Sequence, residues 1–321
     1  MIANKTALDY EIRIPEVISK YKVLEYINCG SFSVCYKVLD LGTHQYYCAK
    51  VASIEDMTIQ GTLDSMKDEI SILQMINHPN VVKCYDSFTI KNSDDDDELF
   101  VIITEFCSCG NLYDYIYEHQ DDMSTEDVKF FIKSIIEAVL HIHSIGIAHC
   151  DIKPNNILLD DQLNPKLCDF NLSKKVKYTK DMTCGGTFPY MAPEISEGKP
   201  VDFIKADIYS LGITIYEIAE CCLPFCEDSE GNLFLSISTR DDELKDLVEK
   251  CTRYEPKTRV STVFLIDEPF FYGCEDNYCD YNCNYNAHRN YYFEDEYDTF
   301  DTDEIQYNKN IKGNHKKNQK F

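Results

Sequence analysis

The residues of this chain whose types and spacing could do chemistry lie in one stretch, His149-Cys150-Asp151-Ile152-Lys153-Pro154-Asn155-Asn156, followed by Asp169-Phe170. Asp151 is a potential proton acceptor, and Lys153, two residues on, brings a fixed positive charge to the same span. Asn156 and Asp169 carry hard oxygens of the kind that magnesium takes together with phosphate oxygens. The stretch therefore holds one base, one cation and two metal ligands. A polar turn between two buried apolar segments is the plain alternative, and the rest of the chain weighs against it.

The elements that must position these groups can be read from periodicity. Tyr21 to Ile27, Val34 to Leu39 and Tyr46 to Val51 are rich in β-type residues and predict three antiparallel strands. Lys67 to Ile76 carries apolar residues at Ile70, Leu73 and Ile76, which is helical spacing, with Glu69 one place before that face. Val81 to Phe88 and Leu99 to Phe106 predict two further strands. Asp94 to Glu98 between them is a run of like charge that wants water, so it is expected at a solvated hairpin tip. Gly110-Asn111-Leu112 opens a helix running to about His119. Ser124 with Asp127 forms a capping-box pattern before a long helix, whose apolar face runs through Val128, Phe131, Ile132, Ile135, Val139 and Ile142. That helix delivers the chain to the stretch around Asp151. His141 and His143 near its end point to different sides and read as structural.

Composition sets limits. The chain has 321 residues, enough for one large core or two unequal lobes, and its hydrophobic content of 44% is ordinary for a globular protein. A net charge of -25 argues against nucleic acid and is compatible with basic protein partners. No apolar run is long enough to span a bilayer, and Met1 to Tyr10 lacks the pattern of a signal peptide. An intracellular location without membrane attachment is the expectation, with the sixteen cysteines mostly free thiols. Residues 1–20 are read as a leader, with a short edge strand or docking segment within 11–18. Residues 272–321, rich in Asn, Asp, Glu and Tyr and ending in Lys312 to Lys320, are expected to be disordered. Cys274, Cys279 and Cys283 do not have paired zinc-ligand spacing.

Taken in order, the motifs resemble those of eukaryotic protein kinases. His149 to Asn156 matches H-R-D-L-x-x-x-N, Asp169-Phe170-Asn171 matches D-F-G, and Ala192-Pro193-Glu194 matches A-P-E. Tyr47-Cys48-Ala49-Lys50 stands in the place of V-A-I-K, and Asp-Ile-Lys-Pro looks like the serine/threonine type. The resemblance covers residues 21–271 and implies an α+β bilobal fold. A small antiparallel sheet lobe (21–106) would carry one regulatory helix, and a larger, mainly helical lobe (107–271) would follow. Within the family the chain looks most like the calcium/calmodulin-dependent or checkpoint-type group.

The resemblance implies ATP and Mg2+ as cofactors and proteins as substrates. It assigns Asp151 to the substrate hydroxyl, Lys153 to charge on the moving phosphoryl group, and Asn156 and Asp169 to magnesium. Lys50 would hold the α- and β-phosphates with Glu69 as its partner. Ile27, Asn28, Gly30, Cys35 and Ala49 would line the nucleotide from the small lobe. Thr104 would stand at the back of the pocket, the backbone at Glu105 and Cys107 at the adenine edge, and Leu158 beneath it. Asp207-Ile208-Tyr209-Ser210-Leu211-Gly212 resembles the helix start that anchors the catalytic loop, and Arg259 is expected to pair with Glu194.

Four departures stand out. Asn28 and Ser33 replace the outer glycines of the phosphate loop, Cys150 replaces the arginine that pairs with a phosphorylated activation segment, and Asn171 replaces a glycine at which positive φ is expected. With Cys150 there, phosphorylation of Thr183 should couple only weakly to activity. The alternative is a catalytically weak pseudokinase used as a nucleotide-binding scaffold. The presence of Lys50, Glu69, Asp151, Asn156 and Asp169 together favours the enzyme.

Overall fold

The computed structural model describes residues 14–30, 33–60, 63–91, 98–176 and 185–272. The hairpin tip at 94–97, Thr183 and the segment 273–321 lie outside the described residues.

A six-stranded antiparallel sheet forms the first half. Its strands are β1 (Val17–Ile18), β2 (Tyr21–Cys29), β3 (Val34–Asp40), β4 (Tyr46–Ser53), β5 (Cys84–Lys91) and β6 (Glu98–Glu105), in spatial order β1-β2-β3-β4-β6-β5. Side chains alternate across a pleated strand. On β4, Ala49 and Val51 therefore face one side and Cys48, Lys50 and Ala52 the other. The first side is a closed apolar layer of Val34, Tyr36, Val38, Ala49, Val51, Val101 and Ile103. Ile14 and Ile18 are buried in that layer too, so the leader supplies the short edge strand expected of it. The second side, through Ala52 and Ile102, receives Met57 of α1 (Ile54–Gln60) and Met66 and Ile70 of α2 (Leu63–Leu73). Helix α2 begins and ends earlier than its periodicity predicts, with Gln74 to Ile76 continuing as hydrogen-bonded turns.

The strand expected from Val81 starts at Cys84 instead. Val82 donates its N–H to Leu167 O at 2.9 Å, and Val81 bridges the same residue. These two valines bond with the second half of the fold, so they cannot also pair with β6.

That second half is helical. Helix α3 (Leu112–Glu118) is capped by the Asn111 side chain. Helix α4 (Thr125–Ser144) carries the expected capping box, with the Asp127 N–H donating to Ser124 Oγ and the Ser124 N–H to the Asp127 carboxylate. Its buried face, from Phe131 to His143, runs through the centre of the largest apolar cluster. The strand β7 (Ile147–Ala148) follows, then β8 (Ile157–Leu159) paired with β9 (Pro165–Leu167), and β10 (Lys174–Lys175) paired back onto β7. After α5 (Pro193–Ser196) comes α6 (Phe203–Glu220), whose residues Ala206–Ile218 are all buried. A hairpin of β11 (Phe225–Glu227) and β12 (Leu233–Leu235), α7 (Asp242–Cys251) and α8 (Thr262–Leu265) complete the lobe. Helix α7 crosses α6 at Gly212, where an added Cβ would lie 2.6 Å from Cys251 Cβ, so only glycine allows that approach. No helix among the described residues is long and apolar enough to cross a membrane.

Candidate active site

The first cluster lies between the sheet and α2. Lys50 reaches from the middle of β4 to Glu69 on α2, with Nζ 2.8 Å from Oε1 and 2.9 Å from Oε2. The same Nζ lies 3.3 Å from Asp169 Oδ1. Burial alone would push the Lys50 amine down, but the charges of Glu69 and Asp169 outweigh it and hold the amine well above its ordinary range. Asp169 takes φ +64° and thereby turns its side chain back into the cleft. Positive φ thus falls on Asp169, not on Asn171, because Phe170 to Leu172 form one turn of 3-10 helix. Phe170 is 1% exposed, packs in the main core with Ile72 and Leu73 of α2, and meets the His149 ring edge-on at 4.7 Å. The aromatic ring therefore ties α2, which carries Glu69, to the loop that carries Asp151.

The second cluster is that loop. Asp151 Oδ2 accepts from Lys153 Nζ at 2.7 Å and from Asn156 Nδ2 at 2.9 Å. Its Oδ1 accepts from Thr187 Oγ1 at 2.8 Å, and Lys153 also reaches Thr187. Burial raises the Asp151 carboxyl, but the hydrogen bonds from Lys153 and Thr187 prevail and hold it below the usual carboxylate range. Asp151 is thus ionised at neutral pH, as a proton acceptor must be.

A buried carboxylate holds the loop from below. Asp207, 1% exposed on α6, accepts the backbone N–H of His149 at 2.6 Å and that of Cys150 at 2.7 Å. His143 Nε2 lies 3.0 Å from the same carboxylate and its Nδ1 3.3 Å from Thr262 Oγ1, so this histidine is structural as expected. Cys150 takes φ +67° and buries its thiol among Tyr190, Ala206, Tyr209 and Ile213. Apolar packing occupies the place where an arginine was expected.

The walls of the cleft correct one assignment. Ala49 is fully buried on the far side of the sheet, since it alternates with Lys50. The small side chain on the cleft side is Cys48, directly paired with Thr104 across β4 and β6. Cys35, paired with Lys50 across β3 and β4, shares that side, and contact with Cys48 and burial push its thiol up. Burial likewise pushes Cys107 up to about 12 and raises Cys168. Cys35, Cys107 and Cys168 are thus protonated thiols that act there as small apolar groups, whereas its hydrogen bond with Cys35 lowers the Cys48 thiol. Leu158 is half-buried on β8, bridged to Asn111. The Glu105 side chain points to Lys166, 2.8 Å away, which leaves its backbone as the part nearest the cleft edge. At the sheet's end Ile27 and Asn28 are exposed, and Gly30 N–H donates to Ser33 O at 2.8 Å to close the turn. The twelve described cysteines are free thiols.

Two functional positions escaped the reading of the sequence. Thr187 touches both Asp151 and Lys153, although sequence alone gives it only as part of the run before Ala192-Pro193-Glu194. Cys48 is the other, and strict alternation from Lys50 identifies it. The expected Arg259–Glu194 pair forms, with both guanidinium nitrogens on the carboxylate at 2.7 and 2.6 Å and both side chains buried.

The protein kinase domain family matches residues 21–271. The chain belongs to the protein kinase family. It is 31% identical to the maternal embryonic leucine zipper kinase of Xenopus tropicalis, over 83% of this chain and 41% of that protein. It is 28% identical to the serine/threonine-protein kinase cds1 of Schizosaccharomyces pombe, over 79% of this chain and 59% of the relative. It is 29% identical to CBL-interacting protein kinase 11 of Oryza sativa subsp. japonica, over 76% and 50%. The chain spans about half the length of the curated relatives it matches.

The donor set fits the group that the kinase family implies. Asn156 spends its amide nitrogen on Asp151, which leaves Oδ1 as a hard acceptor, and Asp169 presents a carboxylate that is 37% exposed beside the Lys50 amine. Two hard oxygens next to a lysine held in position by a buried glutamate suit magnesium and a polyphosphate.

Proposed function

We propose that this protein is a serine/threonine protein kinase that transfers the γ-phosphoryl group of MgATP to hydroxyl groups of protein substrates. One observation carries the reading: five residues scattered over the sequence gather into two bonded clusters, Lys50–Glu69–Asp169 and Asp151–Asn156 with Lys153 and Thr187 on the base, joined where the N–H of Cys168, next to Asp169, donates to Asn156 O at 2.9 Å.

In this reading Lys50 binds the α- and β-phosphates and Glu69 fixes its amine. Asn156 and Asp169 would hold Mg2+, which supplies charge neutralisation on the phosphates when bound. Asp151 orients the attacking hydroxyl and takes its proton as the new O–P bond forms and the bond to ADP breaks. Lys153 offsets the negative charge of the group in flight. Thr187, donating to Asp151 Oδ1, keeps that carboxylate aimed at the place where the acceptor must sit. The three relatives bear the name kinase, which supports the reading.

The test is transfer of labelled phosphate from ATP to a generic protein substrate. Transfer on Ser and Thr that is lost in Asp151→Asn is the expected outcome. A folded wild-type protein that binds ATP without any Asp151-dependent transfer would refute it.

A further inference from the structure

Helix α2 carries Glu69, and two lysines hold it from opposite sides. Lys50, on β4, bonds the Glu69 carboxylate. Lys175, on β10, bonds Ser71, with Nζ donating to Oγ at 2.6 Å. Ser71 follows Glu69 by two residues, about 200° round a helix, so the two contacts fall on opposite sides of α2. The first bond fixes the helix to the sheet. The second fixes it to the lobe that carries Asp151.

The mounting of Lys175 gives the second bond its leverage. Strand β10 pairs with β7, Lys174 opposite Ala148 and Lys175 opposite Ile147. On one side of that pair the Val176 N–H donates to Gly146 O at 2.9 Å, and on the other Ser173 Oγ donates to His149 O at 3.1 Å. Ile147 and Ala148 are fully buried, and His149 leads through Cys150 to Asp151. The backbone that bears Lys175 is therefore bonded to the strand that launches the loop of the base. Phe170 already joins α2 to this region by packing against Ile72 and Leu73. Apolar packing has no direction and leaves a helix free to turn about its own axis. A hydrogen bond weakens steeply when misaligned, so the Lys175–Ser71 bond fixes the rotation at which Glu69 faces Lys50.

We propose that Lys175 is a positioning residue: through Ser71 it sets the rotation of α2 and keeps the Lys50–Glu69 pair aligned with the loop of Asp151. Its consequence for turnover rests on the kinase reading. Both partners are unmodified side chains, so the tie needs no phosphate group.

The experiment uses the full chain. It measures phosphate transfer from labelled ATP to a generic protein substrate, and amide hydrogen exchange of residues 63–73 by mass spectrometry. Lys175→Met and Ser71→Ala should each speed exchange in α2 about tenfold and lower kcat/KM for ATP about tenfold, the scale of one bond to a charged donor. Alanine is the better helix former, so faster exchange in Ser71→Ala cannot come from local propensity. Lys175→Met combined with Ser71→Ala should do no more than either alone, because both delete the same bond. Lys175→Arg should keep most of the wild-type protection and activity. Exchange in α2 that Lys175→Met leaves unchanged overturns the proposal, as do losses that multiply in the double variant. Exchange that rises equally in α4 and α6 is general destabilisation and overturns it too. If wild type transfers no phosphate, the kinase reading has failed, and exchange alone decides the tie: faster exchange confined to α2 in both single variants, with no further rise in the double, supports it, and any other pattern overturns it.

Discussion

Replacing Asp207 by Asn should damage both stability and chemistry, although Asp207 belongs to neither the nucleotide pocket nor the base. The carboxylate accepts from the His149 N–H, the Cys150 N–H and, at 3.0 Å, faces His143 Nε2. An amide has one acceptor oxygen, so its NH2 must confront one of the two backbone donors. An orphaned buried donor costs about 1–3 kcal/mol, and bonds to a charged acceptor are worth somewhat more than neutral ones. The loop also stores strain, since a non-glycine residue in the left-handed region costs roughly 1–2 kcal/mol. Cys150 occupies that region at φ +67°, and its N–H bond to Asp207 is what holds it there. A loss of about 2–3 kcal/mol is therefore expected, which in a domain of this size lowers Tm by roughly 5–10 °C. Asp207→Ala orphans both N–H groups at once and should leave little folded protein. In the Asn variant that does fold, relaxation at Cys150 moves Asp151, and an ångström of misplacement costs on the order of a hundredfold in rate. Lys50 and Glu69 are held elsewhere, so the KM for ATP should change less than about threefold, the split expected when only transition-state contacts are lost. Thermal melts followed by circular dichroism and initial rates with labelled ATP measure both effects. An Asn variant that melts within a degree of wild type and keeps half its kcat would refute the reasoning.

Three further perturbations follow from the same contacts. Arg259→Ala leaves the buried Glu194 carboxylate without its cation and should cost about 3–5 kcal/mol in thermal or urea unfolding, with unfolding rather than altered chemistry as the primary defect. Thr187→Ala removes a hydroxyl bonded to a charged base and should lower kcat about 10- to 100-fold, with Thr187→Ser retaining most activity in the same phosphate-transfer assay. His78 is pushed down from 6.5 to about 4, chiefly by burial and then by the nearby charges of His141 and Lys166. It stays neutral in the fold, accepting the Asn80 N–H on Nδ1, while the unfolded chain protonates it. Its contribution is thus complete above pH 6.5 and is lost as pH falls toward 4, up to about 3 kcal/mol, so His78→Gln should flatten the fall in Tm over that window.

Most of the fold is legible because periodicity and caps act locally. The alternation of β2 to β4, the Ser124–Asp127 box and the apolar stripe of α4 each follow from neighbours in sequence, and the structure places them within a few residues of expectation. The errors arise where a partner distant in sequence decides. Val81 and Val82 have every mark of a strand start, but β9 takes their hydrogen bonds. Asn171 looks like the residue that must adopt positive φ, yet Lys50 and the cleft draw Asp169 inward, and the left-handed turn moves two residues back.

The same distinction separates the site residues that could be found from those that could not. Asp151, Asn156, Asp169, Lys50 and Glu69 declare themselves because their residue types recur in one fixed order and spacing along the chain. Thr187 and Cys48 do not, since a threonine or a cysteine is an ordinary occupant of a half-buried position and only geometry gives it a role. For Cys48 the missing step was small: once Lys50 faces the cleft, a period of two forces Ala49 behind the sheet and Cys48 into the pocket. For Thr187 no local rule suffices. Its bond to Asp151 spans 36 positions and exists only because Cys150, Tyr190, Ala192 and Ala206 share one apolar cluster that draws the two segments together. The replacement of an arginine by Cys150 then acquires a physical meaning. A guanidinium needs an anion to settle it, whereas a thiol packs against Tyr190 and Tyr209 unaided, so the segment bearing Thr187 is held by burial in a state that already bonds the base.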